Sequence, residues 1–179
     1  MLTTLQISTR YNVGFLKTLT PIQGDAAWGT GPGDADGTQV VIFDDQHTDA
    51  ITAAVDGYDA AWLARVKSGR IEAVAALRRG AIIDGFSFNG LPIRLDVDTE
   101  NALVKAHAAL SRQPEGAEID WEVTRGVFMT FHLATIGAIS DAAFQHVQAA
   151  FTNARRLTDM IQAAPDLEAL NAIALDDGW

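Results

Sequence analysis

The first 46 residues alternate apolar and polar side chains in short runs, which is the pattern of β-strands. Leu2–Ser8 is one such run, and Gln39–Phe43 is a β-branched run that ends at two aspartates. Val13–Leu19 is a candidate for a further strand. Gly29–Thr38 is rich in Gly, Pro and Asp, which favour turn conformations, and therefore predicts a loop.

After this region the apolar spacing changes to three and four residues, which is the spacing of one helix face. Thr48 or Asp49 can cap the start of this helix, because either side chain accepts hydrogen bonds from the first free backbone amides. Gly57 and Gly69 each cost about 1 kcal/mol relative to Ala inside a helix. The pattern therefore leaves open one long helix or two helices broken near Gly69. Its apolar positions are Ile51, Val55, Tyr58, Trp62, Val66, Ile71, Val74 and Leu77.

Two β-hairpins with a short helix between them are predicted next. The dipeptide Asn89-Gly90 lies between alternating apolar residues and favours a type I′ turn, because both turn residues need a positive φ. Asp98 or Thr99 then caps the short helix. The second hairpin turns at Gly126, between two further runs of alternating apolar residues.

A long amphipathic helix is predicted from about Thr135 to Pro165. Its apolar stripe recurs in steps of three and four, and Phe144 and Phe151 widen it. At a rise of 1.5 Å per residue, roughly 30 residues extend for about 45 Å. Pro165 ends this helix, and Asp166 caps a final helical turn.

These elements in chain order predict an α+β fold. A short β-rich N-terminal arm or small subdomain occupies residues 1–46. A helix–hairpin–helix–hairpin–long helix domain follows over residues 47–179. The predicted boundary lies where the strand pattern gives way to the helix pattern.

Composition narrows the classes of function that fit this fold. Of 179 residues 48% are apolar, which is enough to fill a core. The 23 acidic and 13 basic residues give a formal charge of −10, which repels nucleic-acid phosphates and anionic lipids. The absence of cysteine excludes disulfides, thiolate nucleophiles and cysteine-based metal sites. With no signal-peptide pattern and no apolar run of about 20 residues, we expect a protein made in a cytoplasm that binds neither nucleic acid nor membrane.

The sequence carries no recognisable catalytic or cofactor motif. No two of its four histidines are three or four residues apart, so no helix face offers a ready metal site. Asp34 and Asp36 lack the third acid and the final Glu of an EF-hand loop. Gly29–Gly33 lacks the Gly-Lys-Ser/Thr ending of a phosphate-binding loop. We therefore expect no enzymatic activity, no bound metal and no cofactor.

Six residues are candidates for contacts with a partner protein. Two tryptophans fall outside the apolar periodicity, and exposed Trp is enriched at protein interfaces because it buries much area at low entropic cost. The alternative is that both fold back onto their own domain. Two strand residues belong to a run that can complete a partner's sheet, and two phenylalanines lie on the widened face of the long helix. The six are Trp28, Val41, Phe43, Phe144, Phe151 and Trp179.

From about Arg65 to Trp179 the motifs follow a recognisable order. A helix with spaced arginines precedes an apolar-Asn-Gly hairpin, a short helix and a Trp-containing hairpin, and a long helix and an Asp-Leu-x-x-Leu-x-x-Ile segment complete the set. The residues that carry the order are Arg65, Arg70, Gly85–Gly90, Ile93, Asp96, Thr99, Trp121, Val147, Phe151, Asp166–Leu170, Ile173, Gly178 and Trp179. In this order they resemble a small domain family of unknown function found in tail-region proteins of tailed bacteriophages and prophages. The linker Gln113–Gly116 departs from the family pattern, and residues 1–45 lie outside the resemblance.

The resemblance implies a setting rather than a reaction, because this family has no established activity. With the features above, it predicts a non-enzymatic structural component of a phage tail: a tail-tip, baseplate or tail-fibre-associated protein. We expect it in the virion after assembly in the host cytoplasm, in contact with other tail or fibre proteins, as a homo-oligomer or in an obligate complex. One alternative is a tail-fibre assembly chaperone that is absent from the mature virion. A minor alternative is a polysaccharide hydrolase that uses Asp120 and Glu122, although the polar side of a strand explains these acids more simply.

Overall fold

The computed structural model describes residues 2–8, 13–19, 28–34 and 38–179. The architecture is α+β, as predicted, with helices and short antiparallel strands. The chain folds as two compact units, residues 1–68 and residues 69–179. The boundary predicted between residues 46 and 47 stays a prediction, and the unit that contains the first strands extends to Ser68.

The first unit contains a three-stranded antiparallel sheet. Strand β3 lies at its centre, with Val41 of β3 opposite Leu5 of β1 on one side and Thr30 of β2 on the other. The strands are β1 (Leu2–Ser8), β2 (Trp28–Asp34) and β3 (Thr38–Asp44). The predicted strands at both ends of this region are therefore confirmed, and they pair within the chain.

The predicted loop at Gly29–Thr38 is wrong for most of its length. Gly29, Thr30, Gly31 and Asp34 pair with β3, and the register shifts between Gly31 and Asp34. This irregularity takes up Pro32, which cannot donate to the ladder, so a segment with turn composition still forms a strand. Residues 35–37 of the predicted loop lie outside the described residues.

The predicted strand at Val13–Leu19 is also wrong, because residues Val13–Thr18 form helix α1. Leu16 is buried in the core of this unit, whose buried members are Leu16, Phe43, Ile51, Ala54 and Tyr58. Phe15 packs edge-on against Tyr58, with ring centroids 5.5 Å apart. One helical turn brings neighbouring apolar side chains into the same core, and burial there outweighs the strand-like composition.

Helices α2 (Thr48–Asp56) and α3 (Tyr58–Asp84) follow. The break falls at Gly57 and not near Gly69, so neither predicted alternative is right. The Gly57 N–H still donates to the carbonyl of Ala53 at 3.0 Å, which closes the last turn of α2. Gly69 lies within α3, where the modest cost of one glycine does not interrupt the helix.

The second unit begins with the predicted Asn-Gly hairpin. Strands β4 (Phe86–Phe88) and β5 (Leu91–Ile93) pair around Asn89 and Gly90, which have φ of 51° and 83°. Both values are positive, as a type I′ turn requires. Gly85, at φ 77°, precedes the hairpin where a Cβ would lie 1.8 Å from the carbonyl oxygen of Ile93. The close approach of the two backbones therefore requires glycine at this position.

The remaining elements follow the predicted order, although their end residues differ from the predicted ones. They are α4 (Val97–Leu110), the β6–β7 hairpin (Glu118–Thr124 and Val127–His132), α5 (Leu133–Ala163) and α6 (Leu167–Asn171). Asp96, rather than Asp98 or Thr99, caps α4: its Oδ1 accepts from the Thr99 N–H at 2.8 Å. That hydrogen bond lowers the pKa of Asp96 below 3.8.

One core cluster of the second unit lies between its hairpins and α4 and α5. Its buried members are Ile93, Leu95, Leu103, Leu110, Phe131, Ile136 and Ile139. Both hairpins thus bury one face against the helices, which gives two-stranded ribbons the support that they lack in isolation. Among the residues described, no helix is long and apolar enough to cross a membrane.

Candidate interaction surface

Helix α5 has a buried face and an exposed face. The buried face recurs in steps of three and four and consists of Ile136, Ile139, Ala150, Ala154, Leu157 and Ile161, with Asn153 beside it. The exposed side carries a second line of residues at the same spacing, which we call the α5 stripe. Its members, all exposed, are Asp141, Phe144, Gln148, Phe151 and Arg155. An amphipathic helix with a second, partly aromatic line has a surface suited to a partner.

The aromatic members of the α5 stripe are well exposed. Phe144 is 59% exposed and Phe151 is 47% exposed. The guanidinium carbon of Arg78 lies 4.6 Å from the Phe151 ring centroid, in a cation–π contact. Within the described part of the chain, Arg78 Nε is buried with no hydrogen-bond partner. Arg78 therefore restrains the Phe151 ring, which reduces the entropy that the ring would lose on contact with a partner.

The end of α3 is attached to α5 by His146. Its Nε2 donates to the carbonyl oxygen of Ala81 at 2.9 Å, and its ring centroid lies 5.7 Å from that of Phe86. Because the acceptor is a carbonyl oxygen, Nε2 carries a proton in this arrangement. These contacts hold the helix that carries Arg78 against the helix that carries Phe151.

The last residues of the chain are attached to α5 by a polar network, which we call the C-terminal clamp: Asn153, Arg156, Asp177 and Gly178. Asn153 is 7% exposed, and its Nδ2 donates to the carbonyl of Asp177 at 2.9 Å. Arg156 Nη2 donates to Asn153 Oδ1 at 2.8 Å and lies 3.5 Å from Asp177 Oδ2. Gly178 has φ 84°, and a Cβ there would lie 2.9 Å from Asn153 Oδ1.

Sequence reasoning did not identify the C-terminal clamp. The signal for it is an asparagine beside the apolar face of a long helix, because a buried amide needs hydrogen-bond partners. Arg70 makes a related contact, since its Nη2 donates to the carbonyl of Ile173. The terminal segment is therefore held at two places by side chains that point to backbone carbonyls.

The six candidate contact residues lie in different parts of the fold. Trp28 of β2 lies opposite Phe43 of β3 in register, and Val41 lies in β3. The side chains of Trp28 and Val41 lie outside the described residues. Phe43 is 2% exposed and belongs to the core of the first unit, and its role at an interface stays a prediction.

Trp179 contacts its own segment. Its Nε1 donates to the carbonyl of Leu175 at 2.7 Å, and part of its side chain remains exposed. This geometry agrees with the alternative that this tryptophan folds back onto its own domain. Of the six candidates, Phe144 and Phe151 are therefore the two described side chains that combine large exposure with a shared helix face.

The acids on either side of Trp121 serve the β6–β7 hairpin. Asp120 Oδ1 accepts from the Thr130 hydroxyl at 3.1 Å, and Glu122 Oε1 accepts from the Gly126 N–H at 2.6 Å. Both line a shallow depression of about 470 Å³ beside Trp121. Because each carboxylate already accepts a cross-strand or turn hydrogen bond, its first role is to stabilise the hairpin.

The histidines have separate surroundings. His132 Nε2 lies 3.4 Å from Glu118 Oε1 across the second hairpin, and His47 is 3.2 Å from the side-chain amide nitrogen of Gln46. In the part of the chain that the structure describes, no three acidic or histidine side chains lie close enough together to hold a metal ion.

Most of the second unit matches the model of a known family. A family described as a domain of unknown function (DUF4376) matches residues 65–176. The chain belongs to this family. The match covers most of α3, both hairpins, α4, α5 and α6, and so includes the α5 stripe together with Asn153 and Arg156 of the C-terminal clamp. No curated protein and no solved structure shows a significant match.

Proposed function

We propose that this protein is a non-enzymatic structural component of a bacteriophage tail, at the tail tip, the baseplate or a tail fibre, that acts through protein–protein contacts. The single observation that carries a contact role is the α5 stripe. It presents two phenylalanines, 59% and 47% exposed, on one face of a 31-residue helix. Singly exposed apolar residues are ordinary, but aromatic residues aligned at helical spacing favour a helix partner.

The tail setting is supported by the ordered motifs of residues 65–179, which resemble tail-region proteins. The acidic composition is compatible with it, because a charge of −10 disfavours contact with nucleic acid and leaves proteins as the natural partners. We therefore place the protein in the virion tail, assembled in the host cytoplasm with other tail or fibre proteins.

Mass spectrometry of purified particles from the phage or prophage that encodes this chain tests the proposal. The expected result is a constant number of copies per tail, which electron microscopy then locates. Phe144→Ser and Phe151→Ser should lower incorporation, whereas Phe128→Ser, which changes an exposed phenylalanine of β7, should not. Absence of the chain from intact particles contradicts the proposal.

Two other outcomes identify the alternatives. If tails fail to assemble without the protein but finished particles lack it, the protein is an assembly chaperone. If the purified protein degrades a host polysaccharide and Asp120→Ala removes that activity, it is a hydrolase. The hydrogen bonds of Asp120 and Glu122 within the hairpin favour a structural role for both acids.

A further inference from the structure

The α5 stripe has a symmetry that the proposed contact role does not require. Gln148 lies at its middle. Asp141 and Arg155 stand seven residues to either side of it, and Phe144 and Phe151 stand four before and three after. The order along the helix is therefore acid, aromatic, amide, aromatic, base.

A line with this order is complementary to a reversed copy of itself. When two such helices pack antiparallel about a two-fold axis beside Gln148, each Asp141 lies next to the partner's Arg155. Phe144 lies within about one residue's rise, 1.5 Å, of the level of the partner's Phe151. The two Gln148 amides meet at the axis, where each can donate to and accept from the other. A two-fold interface uses the same patch on both subunits and needs this kind of self-complementarity.

We infer that a second copy of this chain docks on the α5 stripe, forming an antiparallel two-fold helix pair. The inference rests on the proposed function in one respect, since it names a partner for the same surface. The stripe extends for about 21 Å along α5, comparable with short antiparallel helix contacts. The Phe151 ring is already restrained by Arg78, and Arg155 is only loosely paired with Asp159 at 3.9 Å. The charges that would pair across the axis are thus available.

Sedimentation equilibrium of the full chain over a range of concentrations is the first measurement, and the expected result is a monomer–dimer equilibrium. Phe144→Ser and Phe151→Ser should each weaken the dimer about tenfold or more, as expected for aromatic residues at the centre of an interface. Phe128→Ser is the matched control and should leave the dissociation constant unchanged. A chain that stays monomeric, or a dimer that both stripe variants leave unchanged, overturns the inference.

Charge reversal tests the antiparallel register. Asp141→Arg places like charges at both ends of the pair, and so does Arg155→Asp, so each variant alone should be mostly monomeric. A mixture of the two variants restores opposite charges at both ends and should form a heterodimer with roughly wild-type affinity. Two variants that dimerise alone, or a mixture that does not associate better than either, contradict this register.

These outcomes are independent of the particle experiment. A chain that is incorporated into tails but is monomeric in solution refutes the helix pair and leaves the structural role standing. A chain that dimerises through the α5 stripe and is absent from particles refutes the structural role and leaves the helix pair standing.

Discussion

Single glycines in this chain differ in how much space surrounds them. Gly85 has a positive φ and lies against the backbone of Ile93. Gly137 of α5 has open space where a Cβ would lie: no heavy atom is within 4 Å of that position, apart from its chain neighbours and its own helix backbone. The first position excludes any side chain, since backbone atoms would have to move. The second accepts one without displacement.

We predict opposite signs for alanine at these two positions. Gly85→Ala should lower the free energy of unfolding by about 3 kcal/mol, because the strained φ and the backbone clash act together. Gly137→Ala should raise it by up to about 1 kcal/mol, because alanine favours the helix. Urea denaturation followed by circular dichroism measures both. Equal effects would contradict the geometry around Gly85.

The buried side chain of Asn153 stabilises the fold through its hydrogen bonds. Asn153→Ala removes the donor to the Asp177 carbonyl and the acceptor for Arg156, and should destabilise the protein by about 1–3 kcal/mol. Gln145→Ala, which removes an exposed amide from the same helix, should change stability little. Hydrogen exchange should also show faster opening of residues 175–179 in the Asn153 variant alone. Unchanged protection there would show that the C-terminal clamp does not hold the end of the chain.

Elements of this fold are stabilised mainly on one face. Strand β7 illustrates this: Phe131 is buried in the core of the second unit, and Phe128, three residues earlier, is 64% exposed. Their side chains lie on opposite faces because the side-chain period of a strand is two.

This difference predicts unequal costs for the same substitution. Phe131→Ala should cost about 3–5 kcal/mol, as expected for a buried phenylalanine that leaves a cavity. Phe128→Ala should cost less than about 0.5 kcal/mol. Thermal and urea unfolding of the two variants make the comparison. A similar cost for both would show that the hairpin does not pack on α4 and α5 as described.

The hydrogen bonds at the start of α4 predict that the stability of the protein depends on pH. Hydrogen bonds from Thr99 lower the pKa of Asp96 in the folded state below 3.8, its value in an unfolded chain. Its contribution to stability is therefore complete above pH 3.8 and is lost as the pH falls through the lower, folded-state pKa. Asp96→Asn keeps a capping side chain without the charge. The stability difference between wild type and Asp96→Asn should shrink as the pH falls below 3.8 in urea titrations, and a constant difference would contradict it.

At the scale of the whole molecule, the terminal segment completes the second unit. Leu170 and Ile173 are buried, and Arg70 and Asn153 donate to carbonyls of residues 173 and 177. The short helix α6 is too small to be stable alone, so tertiary contacts determine its position.

We predict that a chain ending at Ala164 is less stable by at least about 2 kcal/mol, because it loses the burial of two apolar side chains. Two donors, on Arg70 and Asn153, lose their acceptors as well. Differential scanning calorimetry measures the loss, with Asp176→Ala, an exposed change in the same segment, as the control. A truncated chain with an unchanged melting temperature would show that the segment is not part of the core.

Local patterns in the sequence were sufficient for the order of helices and hairpins in the second unit. The Asn89-Gly90 turn, the alternation around Gly126 and the apolar stripe of α5 each depend on residues close together in the chain. The turn type and the side on which apolar residues recur within such short stretches are set by the residue order itself. The α+β class and the order of elements followed from them, and Phe144 and Phe151 were recognised as residues that widen the apolar stripe of α5.

Contacts between distant residues decided the rest. Val13–Thr18 is a helix because Leu16 reaches a core shared with Phe43 and Tyr58, and Gly29–Asp34 is a strand because β3 supplies its hydrogen-bond partners. The burial of Phe43, the cation–π contact of Arg78 and the partners of Asn153 likewise join residues far apart in sequence. Periodicity reports which face of an element is apolar, but the partner of that face exists only once the chain has folded.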